Sequence, residues 1–353
     1  LPEDLMRQLG IEVYGQTSKY DAAIYNYLSD HFKINKSAGD FPQELVLTFE
    51  KIQGLRYGEN PHQQGAFYKE KGKVAGLINF KQLQGKELSF NNILDLNSAV
   101  ELAKEFQNPA AVIVKHNNPC GVAEDKELSK AYLNAWKADK LSAFGGIVAL
   151  NRKMDLKTAK LIIKSGFLEC IIAAGFDQEA RNLFKAKKNL RLLELKDWSV
   201  VSDLQMKRVG GGMLLESSDA LTLDKHNLKV VTKKKPSQAQ MQSLIFAWKV
   251  AKHVKSNAIV LAVGTATVGI GAGQMSRVDS VMIAKNKSSK HSQGCCLASD
   301  AFFPKADAIS WAQKAGAKAI IQPGGSIADA QIIAACNKYK LAMVFTGIRH
   351  FRH

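Results

Sequence analysis

The chain has 353 residues, enough for two or three domains, and its 46% hydrophobic and 23% charged residues are those of a soluble globular protein. No apolar run reaches the length of a membrane span, so no membrane partner is expected. The formal net charge of +17 favours anionic partners such as phosphorylated metabolites, polyglutamylated cofactors or nucleic acid.

The basic residues are mostly dispersed. The local runs, Lys185-Ala186-Lys187-Lys188 and Lys233-Lys234-Lys235, lack the interleaved aromatics of a single-strand platform. Nucleic-acid binding without catalysis is therefore kept only as the rival reading. Five cysteines, an odd number with no CxxC, argue for a reducing compartment and against a disulfide framework. The start, Leu1-Pro2-Glu3-Asp4, has no Met and no signal-peptide pattern, and reads as a piece of a longer chain.

In chain order, residues 1–50 read as a helical segment, with Tyr20, Ala23, Ile24, Tyr27 and Leu28 at helical spacing and a break from Ser37 to Pro42. Residues 54–64 follow as a polar loop, in which Arg56 beside Tyr57 offers a fork of donors to a phosphate. A helix is expected from Ile93 to Phe106. Then Ala110 to Val114 reads as a buried strand that ends in Lys115-His116-Asn117-Asn118-Pro119-Cys120-Gly121. Neighbouring residues on a strand face opposite ways, so Lys115 and His116 can serve one site only where the chain turns. The Asn-Asn-Pro run is the expected turn, and a plain surface loop is the bland alternative.

Strand and helix then alternate: Lys126 to Lys137 helix, Ala143 to Leu150 strand, Leu156 to Lys164 helix, Cys170 to Gly175 strand, Gln178 to Ala186 helix, Leu190 to Leu193 strand. This alternation means α/β with a largely parallel sheet. Residues 202–235 read as an irregular crossover. Ser237 and Gln240 have capping-box spacing and open a helix with Met241, Leu244, Ile245 and Trp248 on one face. A strand from Ala258 to Val263 follows. The glycines at 269, 271 and 273 fail the dinucleotide pattern, because Gln274 stands where the third glycine belongs. They imply close backbone approach to a ligand or another strand. The alternation resumes to Phe345, and the tail Arg349-His350-Phe351-Arg352-His353 is dense enough in charge and aromatics to be expected docked.

The stretches LRYGENPHQQ, KELSFNNILDLNSA, VIVKHNNPCG, SAFGGIVALN, GIGAGQMSRVDS, ASDAFFP, QPGGS and the terminal RHFRH together make residues 52–353 resemble the AICAR transformylase region of a bifunctional purine-biosynthesis family that also carries IMP cyclohydrolase. The resemblance implies two cytidine-deaminase-like α/β/α subdomains related by duplication, at 51–201 and 236–353. Residues 1–50 would be the linker from a cyclohydrolase domain that is expected to be absent, and with it that second activity. It implies formyl transfer from 10-formyltetrahydrofolate, as co-substrate, to the 5-amino group of AICAR. It also implies a cytoplasmic homodimer with sites at the subunit interface.

By the family pattern Lys115, His116 and Asn257 match catalytic positions. Arg56, Tyr57, Lys188 and Arg349 match positions that hold the nucleotide, and Asn60, Phe144, Gly145, Arg277, Phe302 and Asp307 fall in motifs lining the nucleotide and folate pockets. Lys305-Ala306 departs from the usual residues before Asp307, and Glu169 stands where some relatives have Asp. A structural monovalent cation, potassium, is allowed near Ser256 and Asp300. Zinc is not expected: a zinc deaminase needs H-x-E and P-C-x-x-C, whereas His116 is followed by two Asn and Cys120 by Gly-Val-Ala.

Overall fold

The computed structural model describes residues 1–32, 41–73, 75–200 and 204–353. The break expected from Ser37 falls, up to residue 40, outside the described residues, as does the start of the stretch read as a crossover. Residues 1–74 and 75–353 form two compact units. The first holds a 30-residue helix, α1 (Glu3–Phe32), and an antiparallel hairpin of β1 (Phe49–Leu55) and β2 (Gly65–Glu70).

The second unit begins with β3 (Lys81–Gln84) and α2 (Phe90–Ala103). Ser89 caps α2: its side chain accepts from the Asn92 N–H, and the Asn92 side chain accepts from the Ser89 N–H. Next come β4 (Ala110–Lys115), β5 (Asn118–Glu124), α3 (Leu128–Ala138), α4 (Lys140–Ala143), β6 (Ile147–Met154), α5 (Leu156–Lys164), β7 (Cys170–Phe176), α6 (Gln178–Phe184) and β8 (Arg191–Glu194). Two expectations change here. Asn118 to Gly121 is not a loop but the start of β5, so the organising strand is the first arm of a hairpin. The glycines of Ala143-Phe144-Gly145-Gly146 precede β6 instead of lying in it, because Gly145 takes a left-handed φ of 71°.

The stretch read as an irregular crossover contains a second hairpin, β9 (Leu204–Val209) and β10 (Gly212–Ser217), turning at Gly210-Gly211, where Gly211 has φ 74°. It is followed by β11 (Lys229–Val230), α7 (Gln238–Ala251), β12 (Ile259–Val263), β13 (Ala266–Gly271), α8 (Arg277–Ser288), β14 (Cys296–Ser299), α9 (Asp307–Lys314), β15 (Ala319–Gln322), α10 (Asp329–Lys338) and β16 (Ala342–Phe345). The expected capping box at Ser237 and Gln240 is present at the start of α7.

Among the described residues β3 to β8 and β11 to β16 form one 12-stranded mixed sheet, ordered β11-β16-β15-β14-β12-β13-β5-β4-β6-β7-β8-β3, apart from the β9–β10 hairpin. Outward from the centre both halves read the same way: a hairpin, an antiparallel neighbour, two more parallel strands and an antiparallel edge. The halves join at β5 and β13, where Ala123 pairs with Ala266. Thr267 Oγ1 accepts from the Val122 N–H at 2.9 Å, and Thr265 Oγ1 donates to Glu124 O at 2.8 Å.

Strand alternation feeds a layer on each face. Val112 and Val114 pack with Leu96, Phe246, Trp248 and Val260 in a core under α2 and α7 that runs through both halves. Ala111 and Ile113 face the opposite core, with Tyr132 and Phe184. The second half has its own counterpart around Leu261, Ile309 and Met343. The result is an α/β/α sandwich.

Because the central joint is antiparallel, strand direction reverses across it. One rim of the sheet therefore carries the N-terminal ends of β6, β7 and β8 together with the C-terminal ends of β14, β15 and β16. The expected site residues of this unit gather on that rim.

Candidate active site

The β4–β5 hairpin turns in two residues. Lys115 pairs with Asn118, and His116 and Asn117 between them take φ of 53° and 59°. Positive φ at both central positions is the type I′ geometry that matches the twist of paired strands. It places Lys115, the last paired residue, next to His116, the first residue of the tip. The Lys115 ammonium donates to Phe144 O at 2.8 Å, and the His116 ring sits on an exposed residue. Asp95 of α2 reaches the turn from below: its carboxylate accepts from the Asn117 N–H at 2.6 Å and from the His116 N–H at 3.3 Å. Burial raises the Asp95 carboxyl above its ordinary value, and the two N–H donors only partly offset this. Gly145 N donates to Phe167 O at 2.8 Å, and the Phe144 and Phe167 rings meet at 5.7 Å.

On the other half, Lys255-Ser256-Asn257 leads into β12. The Asn257 side chain is fully engaged: Nδ2 donates to Gln274 O at 2.8 Å and Met275 O at 3.1 Å, and Oδ1 accepts from Arg277 at 2.6 Å. Arg277 also donates to Ser299 Oγ at 2.7 Å and pairs with the buried Asp300. Asn257, Arg277, Phe302, Asp307 and Arg349 line one cavity of about 430 Å³. Lys188 lines a different cavity of about 530 Å³, together with Phe167, Gly166 and Leu190. Asn118 links the two halves of the rim. Its Oδ1 accepts from the Lys255 N–H at 3.0 Å and its Nδ2 donates to His116 O at 3.3 Å.

The tail is docked. Ser256 N donates to Arg352 O at 2.9 Å, Arg352 N donates to Ser256 Oγ at 3.1 Å, and the Lys255 ammonium reaches His353 O at 2.6 Å. Arg349 stacks over Phe351 at 4.4 Å. Beneath the tail, His253 Nε2 lies 2.9 Å from Glu105 Oε1, and the Arg352 guanidinium is 3.2 Å from His253 Nδ1. Burial lowers the His253 pKa, which leaves the ring neutral: Nδ1 accepts from Arg352 and Nε2–H donates to Glu105.

Arg56, Tyr57 and Asn60 belong to the first unit. There the loop between β1 and β2 closes through Gly58 N to Gln63 O at 2.8 Å, and Asn60 N donates to Gln63 Oε1 at 2.8 Å. The Arg56 guanidinium lies 5.3 Å from the Tyr57 ring centre, so both present donors on one loop. Glu169, of undecided role in the sequence, pairs with Arg191 at 2.7 Å.

Ser256 and Asp300 are adjacent, with Ser256 Oγ donating to Asp300 Oδ2 at 2.6 Å. The other oxygen of Asp300 accepts from Ala258 N and Arg277. The Asp300 carboxylate is paired with a guanidinium and accepts from Ser256 and Ala258, so a cation there would compete with these donors, and no step is derived through one. Cys120 is buried, with Sγ directed at Ile113 O, and burial pushes its thiol up to about 12.

A model of the AICARFT/IMPCHase bienzyme family matches residues 1–287. The chain belongs to that family. It is 52% identical over 351 residues to the bifunctional purine biosynthesis protein PurH of Thermoanaerobacter sp., a match that spans 99% of this chain and 68% of that protein. PurH of Magnetococcus marinus is 53% identical over 365 residues, with the same coverage of both chains. PurH of Listeria monocytogenes is 49% identical over 98% of this chain and 67% of its own length.

Within this AICARFT/IMPCHase fold, sequence reasoning missed Asp95, Asn118 and the Glu105–His253–Arg352 chain. Asp95 lies one helical turn inside a helix that opens in a polar run, and nothing local distinguishes it from a solvated acid. Among the described residues no group of three or more His, Cys, Asp and Glu side chains gathers for a metal, and no helix is long and apolar enough to cross a membrane.

Proposed function

We propose that this chain transfers the formyl group of 10-formyltetrahydrofolate to the 5-amino group of AICAR, giving FAICAR and tetrahydrofolate. The observation that carries this reading is the hairpin tip, which offers an ammonium and an imidazole from consecutive residues on the rim that also bears Asn257.

The AICAR amine is conjugated and weakly nucleophilic, so attack on the formyl carbon needs a base for its proton, stabilisation of the oxyanion and an acid for the folate nitrogen. His116 takes the proton from the amine as the new N–C bond forms. Lys115 stabilises the developing oxyanion and supplies the proton to N10 as the C–N10 bond breaks. Asn257 holds the formyl oxygen by giving up one of its two carbonyl partners when substrate enters. Arg277 and Phe302 face the same cavity as Asn257. Within residues 75–353, Arg349 and Lys188 supply phosphate donors, and in the first unit Arg56 and Tyr57 present donors of the same kind.

Asn257, Arg277, Phe302, Asp307 and Arg349 line one cavity and Lys188 another, and the tip residues Lys115 and His116 line neither of the two. That division supports a homodimer in which one copy completes the other's site, and the five free, buried cysteines suit a reducing, cytoplasmic compartment.

The test is to mix purified chain with AICAR and 10-formyltetrahydrofolate and follow tetrahydrofolate by absorbance, with an AICAR-free control. AICAR-dependent production is expected. A chain that binds neither substrate overturns the reading.

A further inference from the structure

We propose that Asp95 is the positioning residue of the hairpin tip: by accepting the backbone N–H groups of both His116 and Asn117, it holds these residues in the left-handed conformation that presents the His116 imidazole. The proposal rests on the formyl-transfer reading above, and it adds a residue which that reading does not use.

The argument starts from the unpaired groups of a two-residue turn. Strand pairing ends at Lys115 and Asn118, so the two tip N–H groups have no ladder partner. One carboxylate accepts both, at 2.6 and 3.3 Å. Neither tip residue is glycine, and non-glycine residues are uncommon in the left-handed region, with Asn and His among the better tolerated. The equivalent turn of the second half places Gly264 at φ 59°, where no side chain opposes the geometry.

The first half thus keeps a functional side chain where glycine would be relaxed, and a carboxylate from another element secures it. That element is rigid, since α2 is capped at Ser89 and its face is buried in the core shared by both halves. One turn further along α2, Ser98 Oγ donates to Asn117 Oδ1 at 3.1 Å and fixes the second tip residue from the same side. Lys115 is tethered separately, to Phe144 O. Asp95 therefore acts on the orientation of His116 without touching substrate.

The test compares Asp95→Asn, Asp95→Glu and the double variant Asp95→Asn with Asn117→Gly against the unaltered chain. Asp95→Asn keeps shape but loses one acceptor oxygen. We expect kcat to fall about 100-fold, the scale of a misplaced catalytic group, while the AICAR dissociation constant stays within about twofold. Amide exchange at Asn117 should accelerate. Glycine at 117 relaxes the turn by itself, so the double variant should regain about tenfold of the lost kcat. A purely structural role predicts kcat and affinity falling together with the melting temperature, and no rescue by glycine.

Unchanged kcat in Asp95→Asn, or parallel loss of kcat and affinity, overturns the proposal. Asp95→Glu keeps it testable if the amide variant does not fold: it retains both acceptor oxygens but sets them one methylene further out, which should leave kcat between the two extremes. If the unaltered chain shows no formyl transfer, the functional reading fails instead. Amide exchange at the tip still decides then whether Asp95 holds the turn.

Discussion

The two halves of the large sheet share an order of strands yet put their equivalent hairpins to different uses. In the first half the β4–β5 tip is His116-Asn117, on the rim where the candidate site lies. In the second half the β12–β13 tip is Gly264-Thr265, on the opposite rim, where Thr265 bonds to Glu124 and helps seal the joint. The reversal follows from the antiparallel pairing of β5 with β13. Two halves of matching strand order joined in this way cannot place equivalent ends on one rim. The proposed site therefore draws on a hairpin tip from one half and a strand entry, Asn257, from the other. What the halves do share is the close packing of helix on hairpin. A Cβ on Gly121 would stand 1.9 Å from Ala135 O, and one on Gly269 would stand 2.1 Å from Ala284 O.

The largest expected effect breaks the functional tip. His116→Ala should lower turnover by about 10²–10⁴-fold and spare nucleotide affinity, because a base acts mainly in the transition state. Steady-state kinetics beside calorimetric titration with AICAR checks this, and a parallel loss of affinity removes His116 from the role of base. Deleting Arg349 to His353 should come next. It takes Arg349 from the cavity and both backbone partners from Ser256, so the expected result is loss of activity with the fold retained by circular dichroism. A fully active truncation refutes the docking role.

A pair of glycine variants sharpens the comparison through stability. Gly271→Ala drives a Cβ to 1.9 Å from Ser280 O and should cost about 3 kcal/mol. Gly264→Ala meets open space and bears only left-handed strain, about 1 kcal/mol, with turnover unchanged. Denaturant unfolding separates the two.

The smallest effect concerns the joint between halves. Burial alone would raise the Glu105 carboxyl, but the hydrogen bond from the neutral His253 ring and the charge and hydrogen bond of Lys252 outweigh that and hold it well below the usual carboxylate range. A depressed native pKa contributes stability above the unfolded value near 4.5 and loses it as pH falls toward the native one. Melting temperatures from neutral pH to about pH 3 should therefore fall faster in the unaltered chain than in Glu105→Gln. Equal slopes would show that Glu105 carries no acid-sensitive stability.

Periodicity alone determined much of this molecule. Apolar spacing marked α2 and α7, the capping box at Ser237, the helix Leu156–Lys164 and the strand at Cys170, because helix and strand periods are local properties of a chain. The place of the polar tip was also legible, since Lys115 and His116 end an apolar run abruptly. Tertiary structure decided the rest. That Asn118 opens a strand depended on its pairing with Lys115. The glycines at 269 and 271 were legible as points of close approach, but their partner is a helix, which spacing along the chain cannot specify. Asp95 meets residues more than twenty positions away, and Arg352 meets Ser256 across 96. Contacts at such separations are set by how the layers pack, and a one-dimensional pattern carries no record of that packing.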